Sequence, residues 1–141
     1  MITWTTYGTW LQGDKRGYVK GGRILRANER LRKANIRKQK NRTVKLNRQE
    51  REIVRDAIEQ EAEILGQKIY SVAVCSNHVH IVVNCIDETT GYVTGRYKKA
   101  ASDTLRKRGF VGKVWTKGYD KRYCFNKESL RNKVDYVQKH D

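Results

Sequence analysis

Three histidines stand in two short segments whose spacing is suited to metal binding. His78 and His80 are two residues apart in an apolar run, and His140 follows Tyr136 by four residues. Residues two apart on a strand share one face and lie ~7 Å apart, so both imidazoles could bind one ion at ~2.1 Å. Residues four apart on a helix are neighbours, so His140 could supply a third ligand beside the phenol of Tyr136. The pattern indicates a metal ion next to a nucleophile.

Each part of this pattern also has a simpler interpretation. The strand histidines can face solvent, Tyr136 can pack at the core margin, and His140 can cap its helix, where the dipole favours an imidazolium. A structural zinc site could combine the strand histidines with a cysteine such as Cys75 or Cys124, although the chain has no Cys-x-x-Cys pair. Three irregularly spaced cysteines do not suggest a disulfide framework, and buried reduced thiols are the default expectation.

The charge of the chain indicates its class of partner. The 141 residues, which we expect to form a single domain over 1–141, carry 31 Lys and Arg against 15 Asp and Glu, a formal net charge of +16. Such a potential attracts polyanions, and nucleic acid is the natural candidate. No apolar run approaches the ~20 residues needed to span a bilayer, and the first residues do not follow a signal-peptide pattern. We therefore expect a soluble, cytoplasmic protein with no membrane partner.

Much of the charge falls in a basic insertion over about 12–45. This stretch could be solvated, or it could bind phosphates. Aromatic residues near Lys or Arg could stack on unpaired bases or pack in the core: Trp10, Tyr18, Trp115, Tyr119 and Tyr123. The candidate phosphate contacts are Arg16, Arg23, Arg26, Lys117, Lys121 and Arg122. We expect Trp4 and Phe125 to belong to the core.

Two regular elements come before the paired histidines. A run of β-branched and aromatic residues over 2–9 predicts the first strand. After the insertion, Asn47 and Glu50 resemble a helix-capping pair, and apolar residues recur at helical spacing until Gly66 ends the run. This is the clearest helix in the chain.

The paired histidines fall in a predicted hairpin. Two β-rich runs over 68–75 and 79–85 are separated by residues 76–78. A second helix is predicted over 91–108 and a further strand within 119–125. Asn126 can then cap a final helix whose inward stripe contains three apolar residues: Leu130, Val134 and Val137.

This order of elements predicts an α+β fold. It matches a ferredoxin-like, split βαβ plan, an antiparallel sheet with helices on one face and an additional C-terminal helix carrying the tyrosine. Strand alternation turns Val79, Ile81 and Val83 toward the helices. The prediction therefore puts His78 and His80 on the open face of the sheet, where a metal ion can keep positions for substrate.

These segments resemble a known family. The run Cys75-Ser76-Asn77-His78-Val79-His80-Ile81-Val82-Val83, the later Trp115 and the ending Lys133-Val134-Asp135-Tyr136-Val137-Gln138-Lys139-His140 are similar to single-tyrosine HUH transposases, particularly REP-associated tyrosine transposases. HUH denotes two histidines around a bulky hydrophobic residue, here Val79. The resemblance covers most of the chain in order and spacing, and the basic insertion is the main part outside it.

The resemblance implies a metal-dependent single-stranded DNA endonuclease and strand transferase. His78 and His80 would hold Mg²⁺ or Mn²⁺, and Tyr136 would form a 5′-phosphotyrosine with DNA. Single strands beside hairpins are the expected substrate. The fourth residue after the tyrosine completes the metal site in such enzymes, often as Gln or Asn, and here it is His140. No nucleotide cofactor is expected, because one phosphodiester replaces another. Relatives act as monomers or as homodimers in which the tyrosine helix serves the partner's site.

Two alternative functions remain open at this point, and the structural zinc site described above is one of them. A non-catalytic nucleic-acid-binding ferredoxin-like module would account for the charge equally well, and the placement of the histidines and the tyrosine would then be coincidental.

Overall fold

The computed structural model describes residues 1–9, 18–20, 23–25, 30, 43–85 and 88–140. Most of the basic insertion, including Trp10, Arg16 and Arg26, lies outside the described residues. The side chains of Tyr18 and Arg23 lie outside them as well, although their backbone is described.

Six strands are described. They are β1 (Ile2–Thr5), β2 (Tyr18–Lys20), β3 (Arg23–Leu25), β4 (Ile69–Val74), β5 (His78–Val83) and β6 (Asp120–Lys121). Four of them form an antiparallel sheet in the order β4-β5-β1-β6, while β2 and β3 pair as a separate hairpin. The strand β5, which carries both histidines, is therefore an inner strand between β4 and β1.

Among the described residues, three helices accompany the sheet: α1 (Arg48–Ile64), α2 (Thr90–Lys107) and α3 (Lys127–Gln138). Asn47 and Glu50 form the predicted capping box at the start of α1. Thr89 and Asn126 accept backbone N–H bonds at the starts of α2 and α3. Beyond α1, Gly66 has a φ of +67°, a left-handed conformation that suits glycine.

Apolar side chains cover both faces of the sheet. Val72, Val79 and Ile81 belong to the main core, together with apolar residues of α1 and α2. On the other face, Ala73 and Val82 pack against Val137 of α3 in a second, smaller cluster. The sheet is thus sandwiched between a helix pair and the C-terminal helix.

The ferredoxin-like plan is confirmed. The sheet has its strand order, β4-β5-β1-β6, in which the antiparallel strand β5 lies between β1 and β4, the two strands that α1 connects. The predicted core position of Phe125 is wrong, because its side chain is 88% exposed. The prediction of an open sheet face is also wrong, because α3 contacts β4 and β5 there. Val44, at the end of the predicted insertion, is buried in the main core. No described helix is long and apolar enough to cross a bilayer.

Candidate active site

The two strand histidines project toward α3. Val79 and Ile81 are fully buried in the main core, so alternation along β5 turns His78 and His80 to the opposite face. Their ring centroids are 4.6 Å apart. Across the sheet, His80 pairs with Ala73 of β4 and with Thr3 of β1.

His80 is the buried member of the pair. His80 is only 7% exposed to solvent, and its Nδ1 lies 2.8 Å from the Thr3 hydroxyl. Burial, together with the positive charges of the neighbouring His78 and His140, lowers the pKa of His80 from 6.5 to about 4. His80 is therefore neutral near pH 7, which is the protonation state that a metal ligand requires.

The orientation of His78 is fixed by the residue that precedes it. Its Nδ1 lies 2.6 Å from Oδ1 of Asn77. An amide oxygen only accepts hydrogen bonds, so His78 Nδ1 donates and the ring lone pair lies on Nε2. This arrangement is the one seen around metal-ligating histidines, whose other nitrogen donates to a fixed acceptor.

The C-terminal helix brings the tyrosine and the third histidine to the pair. The Tyr136 ring centroid is 5.5 Å from that of His80, and the His140 centroid is 5.1 Å from that of His80. The Tyr136 and His140 rings are themselves 4.4 Å apart. Val137 between them is fully buried against the sheet, which fixes the helix face that carries Tyr136.

Two hydrogen bonds fix the end of α3. The Cys75 thiol donates to the His140 carbonyl oxygen over 3.3 Å, which ties the helix end to the end of β4. His140 Nδ1 donates to the Tyr136 carbonyl oxygen over 2.7 Å. This second bond is the helix-capping contact considered from the sequence. Because a carbonyl only accepts, it also leaves the His140 lone pair on Nε2.

The three imidazoles and the phenol thus form one cluster within a single chain. Its ring separations range up to the 6.3 Å between His78 and His140. Within the described parts of the chain, however, no group of three or more His, Cys, Asp or Glu side chains is already arranged to hold a metal ion. The cluster brings candidate ligands close together without a finished coordination geometry. The described residues therefore give no support to a structural zinc site either.

The candidate nucleic-acid contacts fall into one buried residue and a group of exposed ones. Trp115 is buried in the main core, where it packs edge-on against Trp4 at 6.0 Å, so it is a core residue rather than a DNA contact. The other candidates whose side chains are described are exposed and lie on or near β6, which β1 separates from β5: Lys117, Tyr119, Lys121, Arg122 and Tyr123. They are not part of the histidine cluster.

Two residues that contact the cluster had not been identified from the sequence. Asn77 directly precedes His78 in the sequence, and this adjacency was a local signal that could have indicated its contact with the His78 ring. Thr3 carried no such signal, because its contact with His80 depends on the register between β1 and β5.

Residues 34–140 match the family model described as "Transposase IS200 like". The match spans the hairpin with the paired histidines and the helix with Tyr136 and His140, and it begins inside the basic insertion. None of the curated proteins compared with the chain gives a match.

Proposed function

Because the chain belongs to the IS200-like transposase family, we propose that it cleaves and rejoins single-stranded DNA in a metal-dependent reaction with Tyr136 as the nucleophile. The observation that carries this proposal is the 5.5 Å separation between the Tyr136 and His80 rings within one chain. Transesterification requires the nucleophile beside the groups that orient and polarise the phosphate. The cluster places Tyr136 next to the histidines that are proposed to hold the ion.

The residues proposed to hold the ion are His78, His80 and His140. An ion bound at ~2.1 Å from a ring nitrogen lies roughly 3 Å from the ring centre, so ligand rings are at most roughly 6–7 Å apart. The observed ring separations of 4.6, 5.1 and 6.3 Å fall within this limit. Side-chain rotations are then needed to converge the three lone pairs. An all-imidazole set should favour Mn²⁺ over Mg²⁺, which prefers oxygen ligands.

When bound, the divalent ion would polarise a non-bridging phosphate oxygen and stabilise the phenolate form of a tyrosine, whose ordinary pKa is ~10. The Tyr136 side chain is 45% exposed, so its hydroxyl can reach a strand lying over α3 and lose its proton to solvent. Attack by Tyr136 Oη forms an O–P bond and breaks the bond between phosphorus and the 3′ oxygen. The 3′ oxygen leaves as a hydroxyl after taking up a proton, and the 5′ end stays on Tyr136.

The same step in reverse accounts for strand joining. A different 3′-hydroxyl can attack the phosphotyrosine, releasing Tyr136 and forming a new phosphodiester. One ester replaces another of similar energy, so no nucleotide cofactor takes part. The net charge of +16 supports a polyanionic substrate. The proposed substrate is single-stranded DNA beside a hairpin. The hairpin is proposed because the chain resembles REP-associated enzymes, and the single strand because a duplex holds the scissile bond in a stacked backbone.

A covalent-adduct assay tests this function. The purified protein is incubated with Mn²⁺ and labelled hairpin-flanked single-stranded DNA, and the products are separated on a denaturing gel. We expect a protein–DNA adduct that is absent for Tyr136→Phe and strongly reduced for His78→Ala. Tyr92→Phe is the matched control, because Tyr92 is 47% exposed and lies on α2, and it should form the adduct normally.

The same gel separates the main alternative. Tight DNA binding without any adduct, over a panel of hairpin-flanked substrates, would identify a non-catalytic binding module. An adduct that persists in Tyr136→Phe would reject Tyr136 as the nucleophile.

A further inference from the structure

A groove with an aromatic wall lies at the end of β5 away from the histidines. Its volume is about 490 Å³, and we call it the aromatic groove; its wall includes Tyr70, Val82, Tyr123, Phe125, Lys127 and Leu130. Val82 and His80 are on the same face of β5, and Leu130 and Tyr136 are on the same helix. At ~1.5 Å per residue, Leu130 lies roughly 9 Å from Tyr136 along α3. The groove and the histidine cluster therefore lie along one side of the sheet.

Two aromatic rings of this groove are exposed to solvent. Phe125 is 88% exposed and Tyr123 is 58% exposed, with ring centroids 6.0 Å apart. A pair of large aromatic side chains that the core does not bury is typical of a binding surface.

The charges around the rings are basic. Lys121 and Lys127 line the groove, and Lys121 Nζ lies 5.6 Å from the centre of the Tyr123 ring. Arg122 also lines it and is paired with Asp120 outside the groove wall. Among the described residues of the wall, none is acidic. Aromatic faces beside cations bind unpaired nucleic-acid bases, whose rings stack while the phosphates meet the charges.

We propose that the aromatic groove binds an unpaired base of the DNA strand, with Phe125 and Tyr123 stacking on the base and Lys121 and Lys127 contacting its flanking phosphates. This proposal rests on the proposed function, in which the substrate is single-stranded DNA. Bases inside a duplex are already stacked and paired, so the groove selects single strands. It also holds the strand close to Tyr136 without taking part in the chemistry.

Equilibrium binding tests the proposal directly. The affinity of the protein for labelled oligothymidylate is measured by fluorescence anisotropy in metal-free buffer of fixed salt, with a duplex of equal length as the comparison. Base stacking on aromatic side chains predicts that Phe125→Ala and Tyr123→Ala each weaken single-strand binding roughly 5- to 150-fold. Duplex binding should stay unchanged, and Phe125→Trp should retain the affinity of the wild type. Val111→Ala is the control, because Val111 is 92% exposed and lies outside the groove.

The outcomes separate this proposal from the proposed function. Unchanged single-strand affinity in both alanine variants, or an equal loss for single strands and duplex, would overturn the groove as a base site. The adduct assay at saturating DNA is read in parallel. A wild-type adduct together with unchanged affinity in the alanine variants would refute the groove alone, whereas the absence of an adduct from the wild type would refute the proposed function.

Discussion

The phenol ring of Tyr136 on α3 lies 5.5 Å from the buried imidazole ring of His80 on β5, and both residues belong to the same chain. The helix that carries Tyr136 packs on its own sheet through Val137, and its end is tied to β4 through the Cys75 thiol. The proposed nucleophile and the proposed ligands can therefore act together without a partner chain.

This geometry predicts that two defective variants do not complement each other. Tyr136→Phe lacks the nucleophile and His80→Ala lacks a ligand, so a mixture of the two should form no DNA adduct if each chain uses its own tyrosine. The measurement is the denaturing-gel assay on the mixed proteins, with a mixture of wild type and Tyr136→Phe as the positive control. Recovery of the adduct in the double-variant mixture would show that the tyrosine helix serves a neighbouring chain.

Thr3 is predicted to position His80. Its hydroxyl lies 2.8 Å from His80 Nδ1, so Thr3→Val removes a contact that sets the direction of the opposite ring nitrogen. Loss of such a contact typically lowers metal affinity about 10- to 100-fold. Calorimetric titration with Mn²⁺ measures this change, and Thr3→Ser, which keeps the hydroxyl, should restore the affinity. Wild-type Mn²⁺ affinity in Thr3→Val would rule out a positioning role.

The lowered pKa of His80 predicts a stability that depends on pH. The folded imidazole has a pKa of about 4 and the unfolded one 6.5, so between these values the unfolded chain takes up a proton that the folded chain does not. Stability should therefore be lost as the pH falls from 6.5 toward 4. Because of this one group, the free energy of unfolding should fall by about 2 kcal/mol between about pH 7 and pH 5.

Urea unfolding of the metal-free protein at the two pH values measures this effect. His80→Gln, which cannot titrate, should show a correspondingly smaller loss of unfolding free energy on acidification. Equal losses in the wild type and His80→Gln would mean that the buried imidazole is not the responsible group.

Trp115 is predicted to stabilise the fold and not to bind DNA. It packs against Trp4, and its indole N–H donates to the Lys98 carbonyl oxygen over 3.0 Å. Trp115→Ala should lower the free energy of unfolding by ~3–5 kcal/mol. Trp115→Phe should lose less, keep the fold and bind oligothymidylate with wild-type affinity. Weaker DNA binding by Trp115→Phe with unchanged stability would contradict this assignment.

Local sequence patterns were enough to predict much of the fold. The caps at Asn47 and Asn126 and the apolar spacing after them gave two helices close to their observed bounds, α1 and α3. The apolar alternation predicted a strand over 79–85 and put His78 and His80 on one face, and in the structure this strand begins earlier, at His78. These features follow from the 3.6- and 2-residue periods of helices and strands, which the chain itself carries.

The neighbours across the sheet were decided only by the tertiary structure. Thr3 reaches His80 because β1 pairs with β5 in one register, and a shift of one residue would turn Thr3 to the other face. The covering of the histidine face by α3 likewise depends on where the C-terminal helix returns to the sheet. The tertiary structure alone also decides that Trp115 is buried and that Phe125 is exposed. Both residues are large and aromatic, and only long-range packing distinguishes a core position from a surface one.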